Sequence, residues 1–201
     1  IGDKSMLEII MGEYEKYNVS KYYISINHKG DMIKAYLSDK NDNGKISFIE
    51  ERVPLGTAGA LKYLDGMIDT PFFVSNCDII IKDNYYKIYK HHSDNNNVLT
   101  LVASMRHYEI PYGVCEVKNG GELKAFVEKP KNDYLVNTGM YVLNPEILAY
   151  IPREKYFNMT HLIDAIRDAG LKVGVYPVSE RSYIDVGEWP EYRNAVNRLT
   201  E

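Results

Sequence analysis

Apolar positions along this chain follow two spacings in turn, one typical of helices and one typical of buried strands. Ser5 and Glu8 have the spacing of a capping box and predict a helix that continues to about Lys16. Further helices are predicted at 31–37, 58–64, 84–92, 159–169 and 189–199, and strands at 22–26, 46–50, 72–75, 98–105, 113–117, 123–127, 136–143 and 173–178. Because strands and helices alternate, the pattern predicts one α/β domain: a three-layer, Rossmann-like, doubly wound and mostly parallel sheet with a small β-hairpin insertion at 113–127.

The apolar run 72–81 is the stretch around which the predicted sheet is organised. A continuous apolar run is typical of a strand covered on both faces, and this one is broken by Asn76 and Asp78. Ligands bind at the carboxyl ends of strands in open α/β sheets, so Asp78 is predicted to be a carboxylate on the metal or phosphate side of a site. The alternative is a turn acid or the cap of the helix that follows. Cys77 is predicted to be a small buried hydrophobe.

The predicted sheet lacks its usual beginning. A doubly wound domain normally starts with a strand and a glycine-rich loop that holds phosphate. The first element predicted in this chain is instead the helix that would follow that loop. Neither a G-x-G-x-x-G sequence nor a P-loop occurs in it. We therefore expect the first strand to be missing from a truncated domain spanning 1–201, with the phosphate loop either upstream of Ile1 or absent.

Composition and charge indicate which partners and which cellular location the chain is expected to have. The 201 residues are 45% hydrophobic and carry a net charge of −4 with acids and bases interspersed, which indicates neither a nucleic-acid nor a membrane partner. Cys77 and Cys115 are the only cysteines, too few for a disulfide scaffold, so a reducing cytoplasm is the predicted location. No apolar run reaches the ~20 residues of a membrane span.

Residues 39–50 match the pattern of an EF-hand calcium loop, with Asp39 at its first position and Glu50 at its last. Pro54 and Gly56 follow within two turns and oppose the exit helix that such a loop requires. The residues after the Asn-Gly pair also alternate as in a strand. A polar surface turn is the favoured interpretation, and calcium binding is the alternative.

The loop that contains Leu55, Gly56, Thr57 and Gly59 lies between a predicted strand and a predicted helix. Small residues there allow the backbone to approach a flat ligand, and the loop N–H groups can bind the edge of a base. Tight packing of the helix explains the same residues.

Three further segments place polar residues at strand ends. Glu128 and Lys129 precede a proline that ends a strand, either beside a ligand or in solvent. Asn137 and Gly139 begin another strand, where glycine permits close contact from a ligand or a neighbouring chain. Asp185 precedes the last predicted helix and by itself is expected to cap that helix.

The histidines at 91 and 92 lie on a predicted helix without a ligand-type partner four residues on, so both are predicted to be surface residues.

Taken together these segments resemble one family. Residues 55–61, 75–78, 112–113, 126–130, 137–142 and 185–192 occur in the order and spacing of the sugar nucleotidyltransferases, the nucleoside-diphosphate-sugar pyrophosphorylases, and are similar to the mannose-1-phosphate guanylyltransferases among them. The resemblance covers nearly the whole chain and implies a GT-A-like nucleotidyltransferase fold. Ser5 stands where the family usually has proline and Cys77 where it commonly has glycine. The family's glycine-rich loop, with its arginine, and its following lysine would precede Ile1.

The resemblance also implies a reaction. A sugar-1-phosphate attacks the α-phosphate of a nucleoside triphosphate and releases pyrophosphate, with Asp78 and Asp185 holding Mg²⁺. Lys129 would meet the sugar phosphate as a third catalytic residue. Glu128, Gly113, Asn137 and Gly139 would form the sugar pocket. The loop at Leu55, Gly56, Thr57 and Gly59 would face the base, with a slight preference for guanine and hence for GTP.

Two alternatives from other classes remain open: a non-catalytic module that binds sugar phosphate or nucleotide, and the calcium-binding protein of the EF-hand match. The missing strand would leave two strand edges open, which predicts swapping, self-association or a homo-oligomer.

Overall fold

The computed structural model describes residues 4–38 and 44–187, and this part of the chain contains five α-helices and ten strands. The α-helices are α1 (Met6–Glu15), α2 (Gly30–Ser38), α3 (Gly56–Gly59), α4 (Tyr85–Asp94) and α5 (Met159–Asp168). The strands are β1 (Tyr22–Ile26), β2 (Ile46–Glu50), β3 (Phe72–Ser75), β4 (Ile79–Ile81), β5 (Leu99–Glu109), β6 (Val114–Val117), β7 (Leu123–Val127), β8 (Lys131–Leu143), β9 (Val173–Val178) and β10 (Tyr183–Asp185). Short 3₁₀ helices occur at Ala60–Leu64, Pro145–Tyr150 and Glu180–Ser182.

The largest sheet has four strands in the order β3-β8-β5-β9. β8 is antiparallel to both of its neighbours, and β9 is parallel to β5, so β3, β5 and β9 run in one direction. β1 and β2 form a separate parallel pair. The prediction of a mixed α/β fold with a mostly parallel sheet is confirmed, with β8 as the one reversed strand of the four.

The core has two apolar layers, one on each face of the sheet. One layer packs α1 and α4 against β4, β10 and the sheet. The other packs α5 and the 3₁₀ helices against the opposite face. The predicted capping box begins α1: the Ser5 N–H donates to Glu8 Oε2 at 2.7 Å, and the Glu8 N–H donates to Ser5 Oγ at 3.3 Å. The three-layer arrangement follows from these two apolar layers.

Several boundaries differ from the sequence prediction. The run 72–81 forms two strands in different sheets, because β3 pairs with β8 whereas β4 pairs with β10. The predicted helix 58–64 is one α-helical turn followed by a 3₁₀ helix. β5 and β8 continue together well beyond the predicted 98–105 and 136–143, since each supplies the other's hydrogen bonds. The helix predicted at 189–199 lies outside the described residues.

The hairpin insertion is confirmed as β6 and β7, which pair antiparallel. The second half of the EF-hand match is β2, which pairs with β1, and residues 51–55 are neither helix nor strand. The carboxylate of Glu50 is 2.5 Å from Lys34 Nζ. This half of the segment therefore supports the interpretation as a strand, and residues 39–43 lie outside the described residues.

Among the described residues β1 and β3 each pair with a strand on one side only, β1 with β2 and β3 with β8. Tyr22 of β1 and Phe73 of β3 join the same apolar layer. Tyr23 of β1 joins the other layer together with Phe72 and Val74 of β3. Both sheets therefore lie between the same two layers. We refer to the other edges of β1 and β3, which no described strand pairs with, as the strand slot.

None of the helices in the described ranges has the length and apolar character that crossing a membrane would require.

Candidate active site

Asp78 and Asp185 lie at the ends of two paired strands and approach one glycine. β4 and β10 are antiparallel with Asp185 opposite Ile79, and the Val186 N–H donates to the Asp78 carbonyl oxygen at 2.8 Å. A methyl group on Gly187 would lie 3.2 Å from Asp185 Oδ1 and 3.2 Å from Asp78 Oδ2. The two carboxylate oxygens are thus at most twice that distance apart, which places both carboxylates beside the same glycine.

The hydrogen bonds of these two carboxylates differ. Asp185 accepts from the Gly187 N–H through Oδ1 and from the Tyr183 hydroxyl through Oδ2, each at 2.9 Å. Asp78 Oδ1 is buried and has no hydrogen-bond partner among the described residues. Neither carboxylate forms an ion pair with a described lysine or arginine. A buried carboxylate oxygen without a partner is costly, so this pair fits a cation as its missing partner.

The donor set favours one class of metal. Within 4–38 and 44–187, His, Cys, Asp and Glu side chains do not gather in any group of three or more that could hold an ion. Mg²⁺ binds through one or two carboxylates and completes its shell with water and substrate phosphates. Two aspartates with an unpartnered oxygen therefore fit Mg²⁺ better than a metal that needs an all-protein shell.

Tyr183 is a site residue that the sequence analysis missed. It lies two positions before Asp185 on β10, so both side chains project from the same face of the strand. Burial, followed by the hydrogen bond to Asp185, raises the pKa of Tyr183 well above its ordinary value. Arg106 Cζ lies 5.3 Å from the centre of the tyrosine ring, and its guanidinium is held by Glu180 at 2.9 Å. Alternation along a short strand was the one sequence signal for this residue.

Gly139 lies in a bulge of β8 and contacts Asn76, two residues before Asp78. The β5–β8 register skips Thr138 and Gly139, and the Thr138 hydroxyl donates to the Val102 carbonyl at 2.8 Å. Gly139 has a φ of 86°, and a Cβ there would lie 2.6 Å from Asn76 Nδ2. The Asn76 N–H donates to the Gly139 carbonyl at 3.0 Å. A neighbouring segment of the same chain therefore occupies the space that a side chain at position 139 would need.

Asn137 is exposed, and both ends of its amide are hydrogen-bonded. Nδ2 donates to the Tyr141 hydroxyl at 2.6 Å, and Oδ1 accepts from the Gly139 N–H at 3.2 Å. Burial raises the pKa of Tyr141, with an opposing contribution from Asn137. The side chain is therefore held in one orientation on the same strand as the bulge.

Gly113 lies against the second strand of the hairpin and the residue just after it. A Cβ on Gly113 would lie 2.3 Å from the Phe126 ring and 3.0 Å from Glu128 Oε2. Lys129 is exposed, has a left-handed φ of 45°, and forms no ion pair with a described residue. The structure thus brings Gly113 and Glu128 together, and it gives Lys129 no contact with the two aspartates.

The loop before α3 packs tightly against the residues that precede α5. Gly56 has a φ of 78°, and a Cβ there would lie 2.6 Å from Asn158 Oδ1. The Leu55 N–H donates to Glu51 Oε2 at 2.8 Å, and the Leu55 carbonyl accepts from the Phe157 N–H at 2.8 Å. Leu55 itself is buried.

Four of the five main-chain N–H groups at positions 55–59 have acceptors among the described residues. The Thr57 N–H donates to Asn158 Oδ1 at 3.2 Å, and the N–H groups of Ala58 and Gly59 both donate to the Phe157 carbonyl, at 2.9 and 3.0 Å. The Thr57 hydroxyl accepts from the Met159 N–H at 2.9 Å. These contacts match the packing interpretation of the small residues.

Two predictions about burial are wrong. Cys77 is exposed and forms no disulfide, because the chain leaves β3 before reaching it and enters β4 only at Ile79. His92 is buried rather than at the surface, since α4 packs that face against β5 and β8.

His92 is held in one neutral tautomer by its neighbours. Nε2 is 2.9 Å from Asn144 Oδ1, and because an amide oxygen only accepts, Nε2 carries the proton. Nδ1 then accepts from the Thr100 hydroxyl at 2.9 Å, and that hydroxyl accepts from Asn97 Nδ2 at 3.0 Å. Burial lowers the pKa of His92, with the hydrogen bond to Asn144 opposing.

Comparisons with known proteins agree on one family. The family model described as nucleotidyl transferase matches residues 1–201. The mannose-1-phosphate guanyltransferase of Yarrowia lipolytica is 32% identical over 158 residues, which are 75% of this chain and 44% of that protein. The mannose-1-phosphate guanylyltransferase catalytic subunit beta of Dictyostelium discoideum is 33% identical over 141 residues, 66% of this chain and 39% of that protein. This chain spans less than half the length of these curated relatives.

A solved structure shares the whole fold. HddC from Yersinia pseudotuberculosis superimposes with a TM-score of 0.74 at 26% identity and covers 98% of this chain and 86% of its own. The nucleoside-diphosphate-sugar pyrophosphorylase from Vibrio cholerae RC9 has a TM-score of 0.67 at 16% identity and shows the fold alone, covering 98% of this chain and 88% of its own.

Proposed function

Because this chain belongs to the nucleotidyl transferase family, we propose that the whole protein transfers a nucleotidyl group from a nucleoside triphosphate to a sugar-1-phosphate. The sugar phosphate oxygen attacks the α-phosphorus, the bond to the β-phosphate bridging oxygen breaks, and pyrophosphate leaves. The nucleophile is already anionic near neutral pH, since the second pKa of a phosphate is ~6. The barrier is charge repulsion, so the protein acts mainly by positioning and neutralisation.

The observation that carries this proposal is the approach of Asp78 and Asp185. We infer that they hold Mg²⁺, which would neutralise phosphate charge and fix the triphosphate in line for attack. Asp185 enters the site already oriented by two hydrogen bonds, whereas Asp78 supplies an oxygen that lacks a described partner. Water would complete the shell of a metal bound without substrate and phosphate oxygens would replace part of it, so nucleotide binding should strengthen metal binding.

The sugar pocket is assigned to the segments around the hairpin and the bulge of β8. Glu128 would accept hydrogen bonds from sugar hydroxyls, and Lys129 would neutralise the sugar phosphate. Gly113 and Gly139 have no side chain that would obstruct a ligand, and Asn137 is held in one orientation by its hydrogen bonds to Gly139 and Tyr141. Lys129 is exposed and without a described ion pair, so it is available to an anionic substrate.

We assign binding of the nucleotide base to the loop at Leu55, Gly56, Thr57 and Gly59. Four N–H groups between Leu55 and Gly59 are engaged by the protein, so the loop would contact a base through its surface and remaining polar groups. The guanyltransferases at 30–33% identity favour GTP as the triphosphate and mannose-1-phosphate as the acceptor.

The test is pyrophosphate release by the natural full-length protein, with GTP and mannose-1-phosphate in the presence and absence of Mg²⁺. We expect turnover that requires Mg²⁺ and that is lower with other triphosphates. The competing function is a non-catalytic module, which would bind sugar phosphate or nucleotide in calorimetry without any turnover. Binding without turnover across triphosphates and sugar phosphates would reject the enzyme proposal.

We further propose that the strand slot is filled by a strand from outside the described residues, and that residues 1–201 form one domain that is incomplete by itself. Without that strand we expect little turnover and a tendency to self-associate. Strong turnover by residues 1–201 alone would contradict this. The two exposed free thiols, Cys77 and Cys115, support assignment to a reducing cytoplasm.

A further inference from the structure

Asp185 is held by donors on both sides of its own position in the chain. Oδ1 accepts from the main-chain N–H of Gly187, two residues later, and Oδ2 accepts from the hydroxyl of Tyr183, two residues earlier, both at 2.9 Å. The main-chain donor is fixed by the backbone, but the tyrosine donor depends on one side chain. Loss of that hydroxyl would free the carboxylate to rotate about its last torsion angle.

The ring of Tyr183 is in turn fixed by contacts from a different strand. Tyr183 is buried, with 8% of its surface exposed. Arg106 of β5 places its guanidinium carbon 5.3 Å from the ring centre, and Glu180 accepts from the same guanidinium at 2.9 Å. Cations pack favourably over aromatic faces, so this contact holds the ring against the strand that carries Asp185.

We propose that Tyr183 is a positioning residue that orients the Asp185 carboxylate for a divalent cation, with Arg106 and Glu180 clamping its ring. This inference rests on the proposed function only in identifying the Asp78–Asp185 pair as the cation site. Residues that hydrogen-bond to metal-binding carboxylates typically change metal affinity or activity 10–100-fold when they are mutated. Tyr183 acts through Asp185 and contributes no ligand of its own.

The direct test is Mn²⁺ binding followed by electron paramagnetic resonance, using Mn²⁺ alone as the probe on the natural full-length protein. Tyr183→Phe keeps the ring and its contact with Arg106 but removes the hydroxyl. We expect its dissociation constant for Mn²⁺ to rise roughly 10-fold. The matched control is Tyr17→Phe, which removes a hydroxyl that donates to the Asp83 carbonyl at 3.2 Å, away from both aspartates.

The second variant is Arg106→Gln, which removes the cation but leaves the tyrosine hydroxyl in place. A smaller loss of Mn²⁺ affinity than in Tyr183→Phe is expected, because the ring loses a contact rather than its donor. Unchanged Mn²⁺ affinity in Tyr183→Phe, or an equal loss in Tyr17→Phe, would overturn the proposal. So would an absence of Mn²⁺ binding by the wild-type protein.

A kinetic measurement separates positioning from a general structural effect. In Tyr183→Phe the Mg²⁺ concentration for half-maximal rate should rise about 10-fold, while the rate at saturating Mg²⁺ stays close to that of the wild type. A uniform fall in rate at all Mg²⁺ concentrations would contradict positioning. Failure to find any transferase substrate would reject the proposed function, but the Mn²⁺ difference between the two tyrosine variants would still decide this inference.

Discussion

Gly139 and Asn76 interlock at the edge of the site: the asparagine side chain occupies the space that a side chain at position 139 would need. The distance from a Cβ at Gly139 to Asn76 Nδ2 would be 2.6 Å, and the backbones are joined by a hydrogen bond of 3.0 Å. Because Asn76 begins the connection that carries Asp78, this contact fixes the path from β3 to the candidate metal site.

Gly139→Ala should therefore be strongly destabilising. Its left-handed φ of 86° costs roughly 1–3 kcal/mol for a residue with a Cβ, and the clash adds to this cost. The control is Gly120→Ala, which has a similar φ of 93° but nothing within 4 Å of its Cβ position. Urea unfolding should show a larger loss of stability for Gly139→Ala, and equal losses would show that the Asn76 contact contributes nothing.

Removing either metal-site carboxylate should abolish most of the activity. We expect Asp78→Asn and Asp185→Asn each to lower pyrophosphate release roughly 10²–10³-fold, as for loss of one group that stabilises developing charge. Asp69→Asn is the control, since it removes the same charge from an exposed loop position. Initial rates over a Mg²⁺ titration provide the measurement, and near-wild-type rates in Asp78→Asn would reject the assignment.

His92 should make the fold sensitive to acid. Its folded-state pKa is lowered, so between that value and the ordinary value of about 6.5 the unfolded chain binds the proton and the folded chain does not. Stability is therefore fully present above about pH 6.5 and falls with decreasing pH, by up to about 1.4 kcal/mol per pH unit.

The measurement is urea unfolding at several pH values between 7.5 and 5. His92→Gln should lose this component of the pH dependence, although the variant itself is less stable. His28→Gln, at an exposed histidine, should keep the wild-type profile. An unchanged pH profile in His92→Gln would show that another group is responsible.

The strand slot should make residues 1–201 self-associate. The Tyr22 N–H donates to Lys45 and the Glu51 N–H donates to Ile26, so along β1 the intervening Tyr23 and Ser25 direct their N–H groups to the open edge. Ser25→Pro removes one of those donors and should reduce association in analytical ultracentrifugation, whereas Ser25→Ala keeps the donor and should not. A wild-type chain that remains monomeric at all concentrations would contradict this prediction.

Interactions between residues close in sequence account for many of the observed strand and helix boundaries. The spacing of apolar residues located β1, β2, β3, β7 and β9 at their observed bounds, and the capping box located the start of α1. These features depend on neighbours a few positions apart, so the sequence is sufficient for them. Asp78 was also predicted as a site residue, because an acid at the end of an apolar strand needs a positive partner. Asp185 was assigned to the same site only through the resemblance to the nucleotidyltransferase family.

The tertiary structure decided which groups meet. Strand pairing between distant segments brings Asp78 and Asp185 together beside Gly187 and places Tyr183 where it orients Asp185. The bulge in β8 brings Gly139 into contact with Asn76. The same reason explains the exposed Cys77 and the buried His92. Burial is set by what packs against a side chain, and that partner lies far away in sequence.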